Sequence, residues 1–352
     1  MASNSTNIQW LDTLRALAML GVIFIHISSP LVNMTYWENM PFWWIGNVVD
    51  SGVRFAVPLF LMLSGATLLN KDYKPGEFYK KRFTRVLIPF MFWIVVYWIY
   101  RWVTLTPKMQ PHDIYTGLKW AGNLFLKEGV SKHFWYIYMI LVIYLFVPFL
   151  GTGLRKLNMS AVFVILLFWI TLAFMCKSIP MNMYNWSGNY GSKLFGYFIY
   201  SGYLVLGYYL VKLPAYSSKI RFLAAAIFIL SIIVSAVSTY FFSLNAHKLN
   251  LSIYGYLSIN TIIQSIALFM WIKDSSFNNN YLAWIIKTIS NYSYGIYLVH
   301  IIIISILFDN GIYWKTANPL VSLPLIVLMV FVCSFGIIFV LRKMPGGKYI
   351  AG

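Results

Sequence analysis

The chain has 352 residues, of which 60% are hydrophobic and 10% charged, and its mean hydropathy is +0.70. A soluble domain carries about 25% charge, so one aqueous core and a large soluble domain are both excluded, and the length allows roughly ten membrane spans of about 20 residues. The net charge of +18 comes from 27 basic and 9 acidic residues. These basic residues sit between apolar runs, as membrane topology expects, and they do not alternate with aromatic platforms as in a nucleic-acid binder.

The N-terminal Met1–Trp10 stretch lacks the basic region of a signal peptide, and no small-residue cleavage site follows the first apolar run. That run, Trp10–Ser29, is therefore read as a retained span. It carries Asp12, Arg15 and His26, and ionisable groups in lipid cost a few kcal/mol on insertion scales. Arg15 and His26 are eleven residues apart, about three helical turns, which puts them on one face roughly 16 Å apart. Asp12 lies three residues before Arg15, near the same face. The structural alternatives are an Arg15 that reaches the headgroups with Asp12 as its partner, and a His26 that only packs. The functional reading makes neutral His26 a base for a hydroxyl attacking a thioester. Arg15 then binds a phosphate or carbonyl oxygen, and Asp12 holds its guanidinium.

The second run, Trp43–Leu69, is too long for one straight span and is expected to be tilted, broken or partly interfacial. Asp50 and Arg54 are four apart in it and pair on one face, as a structural ion pair or as groups reaching the depth of His26. Pro58 and Ser64–Gly65 predict a bend and close helix packing. The following connection, KKRFTRVLIPF, clusters Lys80, Lys81, Arg82 and Arg85 before the third run, Val86–Val103. It serves either as a lipid anchor or as a phosphate site. The long polar segment from Tyr100 to Lys132 has an amphipathic stretch near Tyr115–Phe125.

The fourth run, Phe134–Leu150, opens with His133, Trp135 and Tyr136. These look like an interfacial aromatic belt, and their faces also suit a sugar ring. Further runs are Ala161–Cys176, Leu194–Val211, Phe222–Phe242, Ile253–Ile272, Tyr281–Leu307 and Leu320–Leu341. In the ninth, the polar stretch Ser290–Gly295 is expected to break the helix, and His300 beyond it is a second candidate base.

Fifteen basic residues, within 71–85, 155–156, 212–221, 273 and 342–348, fall on the side of the N-terminus. Nine fall on the other: Arg101, Lys108, Lys119, Lys127, Lys132, Lys177, Lys193, Lys248 and Lys315. This bias predicts that both termini are cytoplasmic. Cys176 and Cys333 have no neighbour at metal-ligand spacing, and His112, His133 and His247 lie near span ends, so no zinc cluster is expected. The P-loop, GxSxG and HExxH patterns are absent.

Together these motifs resemble the acyltransferase 3 family of membrane O-acyltransferases. The carriers are LDTLRALAMLGVIFIH (Asp12, Arg15, His26), RFAVPLFLMLSG (from Arg54), KRFTRVLIPF (Arg82, Arg85), HFWYIYMILVIYLFVPF (His133, Trp135, Tyr136) and YSYGIYLVH (His300), with FGYFIYSGYLVLGYYL in between. The resemblance extends over almost the whole chain and is nearest to stand-alone members acting on envelope glycans such as enterobacterial common antigen. It implies an all-α bundle of about ten spans in a bacterial inner membrane, with one domain over residues 8–345 and a short cytoplasmic tail over 346–352. The family's Arg-and-His motif maps onto Arg15 and His26. Its RxxR motif maps onto Arg82 and Arg85 on the donor side, with Lys81 beside them.

The resemblance also implies acetyl-CoA as donor substrate, no bound cofactor, and a hydroxyl of an envelope glycan or its lipid-linked precursor as acceptor. Some members carry an appended extracytoplasmic hydrolase-like domain. This chain ends at Gly352 without one, so it either transfers directly or works with a separate extracytoplasmic protein. Arg54, Asp50, His133, Trp135, Tyr136 and His300 are the candidates for acceptor binding or oxyanion stabilisation. The rival reading is a transporter or flippase for an envelope glycan, using the same intramembrane charges as a proton relay.

Overall fold

A computed structural model describes residues 3–104, 113–126, 130–178, 196–276 and 278–352. His112, Lys108, Lys127, Lys193 and residues 194–195 of the sixth predicted span lie outside these, as do the side chains of Cys176 and Lys177. Among the described residues there is no strand. The helices are α1 (Ser3–Thr35), α2 (Met40–Gly52), α3 (Ala56–Leu68), α4 (Pro75–Thr104), α5 (Ile114–Leu126), α6 (Trp135–Arg155), α7 (Met159–Ser178), α8 (Ser201–Lys212), α9 (Ser218–Asn245), α10 (Ile259–Ile272), α11 (Asn280–Asp309) and α12 (Pro319–Lys343). Among the described residues, seven segments are long and apolar enough to cross a membrane, and Met159–Met175 and Ile259–Ile272 are shorter apolar helices.

Helix α1 is central. It packs against α2, α3, α11 and α12, and Leu14, Ala18, Met19, Ile23 and Ile27 are fully buried. The outer helices expose large apolar side chains instead, such as Ile99, Phe168, Phe222 and Val332. A water-soluble monomer seldom presents so much apolar surface. The described chain is an all-α membrane bundle whose first span lies inside it.

The overlong second run is broken. Helix α2 ends at Gly52 and α3 begins at Ala56. Pro58 explains the position, because its ring clashes with the carbonyl four residues earlier, that of Arg54. Arg54 therefore sits in the break. Below it, α3 and α8 pack at backbone contact. A Cβ on Gly65 would lie 1.9 Å from the Leu204 oxygen, and one on Gly207 would lie 1.9 Å from the Met62 oxygen.

Several stretches differ from their expected form. The ninth span is not broken: α11 is continuous through Ser290–Gly295. Ser293 Oγ donates back to the Ser290 carbonyl at 2.8 Å, which satisfies the hydroxyl inside the helix. The run Ile253–Ile272 is helical only from Ile259, after a 3₁₀ turn at Ser252–Tyr254. Tyr254 is drawn away by its hydroxyl, which donates to Asn47 Oδ1 at 2.5 Å. Finally, the KKRFTR stretch is the start of α4 rather than a connection.

Residues 346–352, expected as a tail, fold back onto the bundle. Trp93 Nε1 donates to the Ile350 carbonyl at 3.1 Å, and Arg342 reaches the carbonyls of Asn291 and Gly352. Ala351 is buried against Gly295, where a Cβ would meet its oxygen at 2.3 Å. The amphipathic stretch at Tyr115–Phe125 is helix α5.

Candidate active site

Two neighbouring helices, α1 and α11, bring the site together at two levels. At the first level Arg15 Nη1 lies 3.2 Å from Asp12 Oδ1 and donates to Ser290 Oγ at 2.8 Å. The Ser290 hydroxyl donates in turn to Asp12 Oδ1 at 2.5 Å. The guanidinium is thus held in place by a carboxylate and a hydroxyl. Ser290 belongs to the polar stretch whose composition suggests a helix break. Its actual role is to face Arg15.

Arg15 borders a cavity of about 400 Å³, whose wall also includes Arg82, Arg85, Ser290, Asn291, Ser293 and Gly352. Arg82 and Arg85 are one helical turn apart on α4, so both present to the same space. Lys81 is exposed and is not part of the wall. One residue along a helix turns the side chain by about 100°. From the three arginines the cavity runs past Tyr144, Ile140 and Ile137 to Tyr136 and Tyr297. Its volume is within the range of small-molecule sites.

At the second level, about three turns along α1, stands a cluster of histidines. The rings of His26 and His300 are 5.2 Å apart between centroids, His133 and His300 are 5.1 Å apart, and His26 and His133 are 6.3 Å apart. Tyr297 joins the cavity to the cluster, with its ring 5.2 Å from His133, 5.7 Å from His300 and 5.8 Å from Tyr136. His133 and His300 are buried, whereas His26 is partly exposed. His133 Nδ1 lies 2.7 Å from Ser131 Oγ. The Nε2 atoms of His133 and His300 are buried without a hydrogen-bond partner. Among the described residues no group of His, Cys, Asp or Glu has an arrangement that could hold a metal ion.

His133 and Tyr136 are therefore not an interfacial belt. A 3₁₀ turn at Lys132–Phe134 swings His133 inward, and Tyr136 lines the cavity. Trp135 is partly exposed, stacks on Tyr256 at 5.7 Å and also packs against Tyr200. Arg54, in the helix break, pairs with Asp50 and lies over the Tyr254 ring at 4.2 Å. Asp50 Oδ1 and Arg54 Nε are buried and unpartnered. Arg54 is close enough to His26 to act on it electrostatically.

A protein-family model described as an acyltransferase domain matches residues 8–342. The chain belongs to the acyltransferase 3 family. No curated protein and no solved structure matched. The match extends over every site group just described, from Asp12 to His300, except Gly352 of the cavity wall. In this membrane acyltransferase, three arginines stand at one end of an internal cavity and three histidines beyond the other. Sequence spacing had already paired Arg15 with His26 and Arg82 with Arg85. It missed Ser290 and Tyr297, for which the available signal was polar residues repeating at helical spacing ahead of His300.

Proposed function

We propose that this acyltransferase moves an acetyl group from acetyl-CoA to a hydroxyl of a bacterial cell-envelope glycan or its lipid-linked precursor. The observation that carries the reading is the continuity of one cavity from Arg15, Arg82 and Arg85 to Tyr136 and Tyr297, of which Tyr297 packs against His133 and His300. Clustered guanidinium groups suit the phosphates of a CoA donor. With the basic end toward the cytoplasm, as the charge bias favours, the donor enters there. Its thioester then points along α1 toward His26.

His26 takes the proton of the acceptor hydroxyl, and the oxygen attacks the thioester carbonyl. The C–S bond breaks, and the leaving thiolate takes the proton back, giving the ester and free CoA. Arg54, paired with Asp50, then stabilises the oxyanion. Trp135 with Tyr256 and Tyr200 offers aromatic faces for the acceptor sugar on the side away from the arginines.

The test is transfer of radiolabelled acetyl from acetyl-CoA into the glycan fraction of membranes containing the protein. Label should accumulate with the wild type and fall to background with His26→Ala. Equal incorporation by the two proteins would overturn the reading.

A further inference from the structure

His300 has taken no part in this chemistry, yet its tautomer is set by its surroundings. Its Nδ1 lies 2.7 Å from the Tyr297 carbonyl oxygen. A carbonyl only accepts, so Nδ1 carries the proton and Nε2 is a bare lone pair. That lone pair is buried and has no hydrogen-bond partner. Native interiors rarely leave such a group unpaired, and each exception calls for a cause.

Two nearby tyrosine hydroxyls are committed elsewhere. Tyr97 donates to the Leu298 carbonyl at 3.1 Å, and Tyr297 donates to the His133 carbonyl. The ring N–H groups of His26 and His133 remain. Of the two, His26 is the partly exposed ring, 5.2 Å from His300 between centroids. It is also the ring whose protonation changes in the proposed reaction.

We propose that His300 is a positioning residue that acts through His26. Its Nε2 is linked through one water to the ring N–H of His26, and so fixes which His26 nitrogen is left unprotonated toward the acceptor hydroxyl. This role rests on the reading of His26 as the base. When the hydroxyl proton moves to the free nitrogen, His26 becomes an imidazolium. The N–H already facing His300 then becomes a charge-assisted donor in that link. The proton returns to the thiolate as the C–S bond breaks, and His300 neither gains nor loses one. The arrangement follows the general logic of a catalytic base oriented by a third group.

The test contrasts two variants at one position. His300→Phe keeps an apolar ring of similar size but removes the acceptor. His300→Gln keeps an acceptor oxygen near the place of Nε2. A merely structural role in a buried site predicts that Phe is the better replacement. The positioning role predicts the reverse. In the labelled-acetyl membrane assay, His300→Phe should lower the maximal rate about 10²-fold without changing the acetyl-CoA concentration for half-saturation, and His300→Gln should stay within about tenfold of wild type.

Phe at or above Gln would overturn the positioning role alone, provided His26→Ala is inactive. A His26→Ala protein that transfers at the wild-type rate would overturn the base reading and the positioning role together. A second measurement needs no variant to fold. Nitrogen-15 NMR of histidine-labelled wild-type protein in nanodiscs should show a buried histidine carrying its proton on Nδ1 with a bare Nε2. If every buried histidine carries its proton on Nε2, the proposal fails.

Discussion

Replacing Ser290 with alanine isolates the clamp on Arg15. The hydroxyl accepts from Arg15 at 2.8 Å and donates to Asp12 at 2.5 Å. A hydrogen bond to a charged group contributes about 1.5–3 kcal/mol. The Arg15 side chain is 32% exposed and that of Asp12 10%, so water takes over part of both bonds, and the direct Arg15–Asp12 contact at 3.2 Å survives. The net loss in holding Arg15 toward the cavity is then about 1–2 kcal/mol. If Arg15 binds the CoA part of the donor equally before and during the reaction, the whole loss falls on binding. The donor KM should rise about 5- to 30-fold with the maximal rate unchanged. Initial rates of labelled acetyl incorporation against acetyl-CoA concentration measure both. An unchanged KM would refute the claim that Ser290 holds Arg15 in a donor site. A fall in maximal rate alone would place Arg15 at the reacting atoms instead.

Other predictions follow from the same geometry. Arg82→Ala and Arg85→Ala should each raise the donor KM about tenfold and more so at low salt, while Lys81→Ala, outside the cavity wall, should be silent; equal effects at all three positions would point to a diffuse lipid-anchoring cluster. Arg54→Met leaves the carboxylate of fully buried Asp50 unpaired, a loss of about 3–5 kcal/mol. Thermal unfolding in detergent should drop and then recover in the Arg54→Met/Asp50→Leu double variant, and an unaltered melting temperature in the single variant would contradict a buried pair. Gly65→Val should separate α3 from α8 and abolish a monodisperse elution profile, because its first side-chain carbon would lie 1.9 Å from the Leu204 oxygen; a normal profile and melting temperature would show that the two backbones are not in contact.

Much of this architecture is written in local pattern. The apolar runs mark the helices, and the costly charges of the first run point to an interior helix, which α1 is. The eleven-residue spacing of Arg15 and His26 and the three-residue spacing of Arg82 and Arg85 fix which side chains share a face. Pro58 explains why the long second run breaks at Arg54. What spacing leaves dark is contact between distant segments. His26, His133 and His300 lie in three separate parts of the chain, and only the packing of α1 against α11 and the inward 3₁₀ turn at Lys132–Phe134 bring them together. The same blindness affects polarity. Ser290–Gly295 is polar because it faces a cavity, and composition cannot separate that from a helix break. The 346–352 segment is short and follows the last span, so nothing local reveals that Gly295 leaves room for it.

The central claim is that an acyl group entering past the arginines ends beside His26. Affinity labelling with bromoacetyl-CoA tests this directly, since an imidazole nitrogen displaces bromide and keeps the adduct. Peptide mass spectrometry should find the adduct on His26 and find it suppressed by excess acetyl-CoA. Adducts confined to exposed sites such as Cys333, with His26 unmodified, would contradict the account.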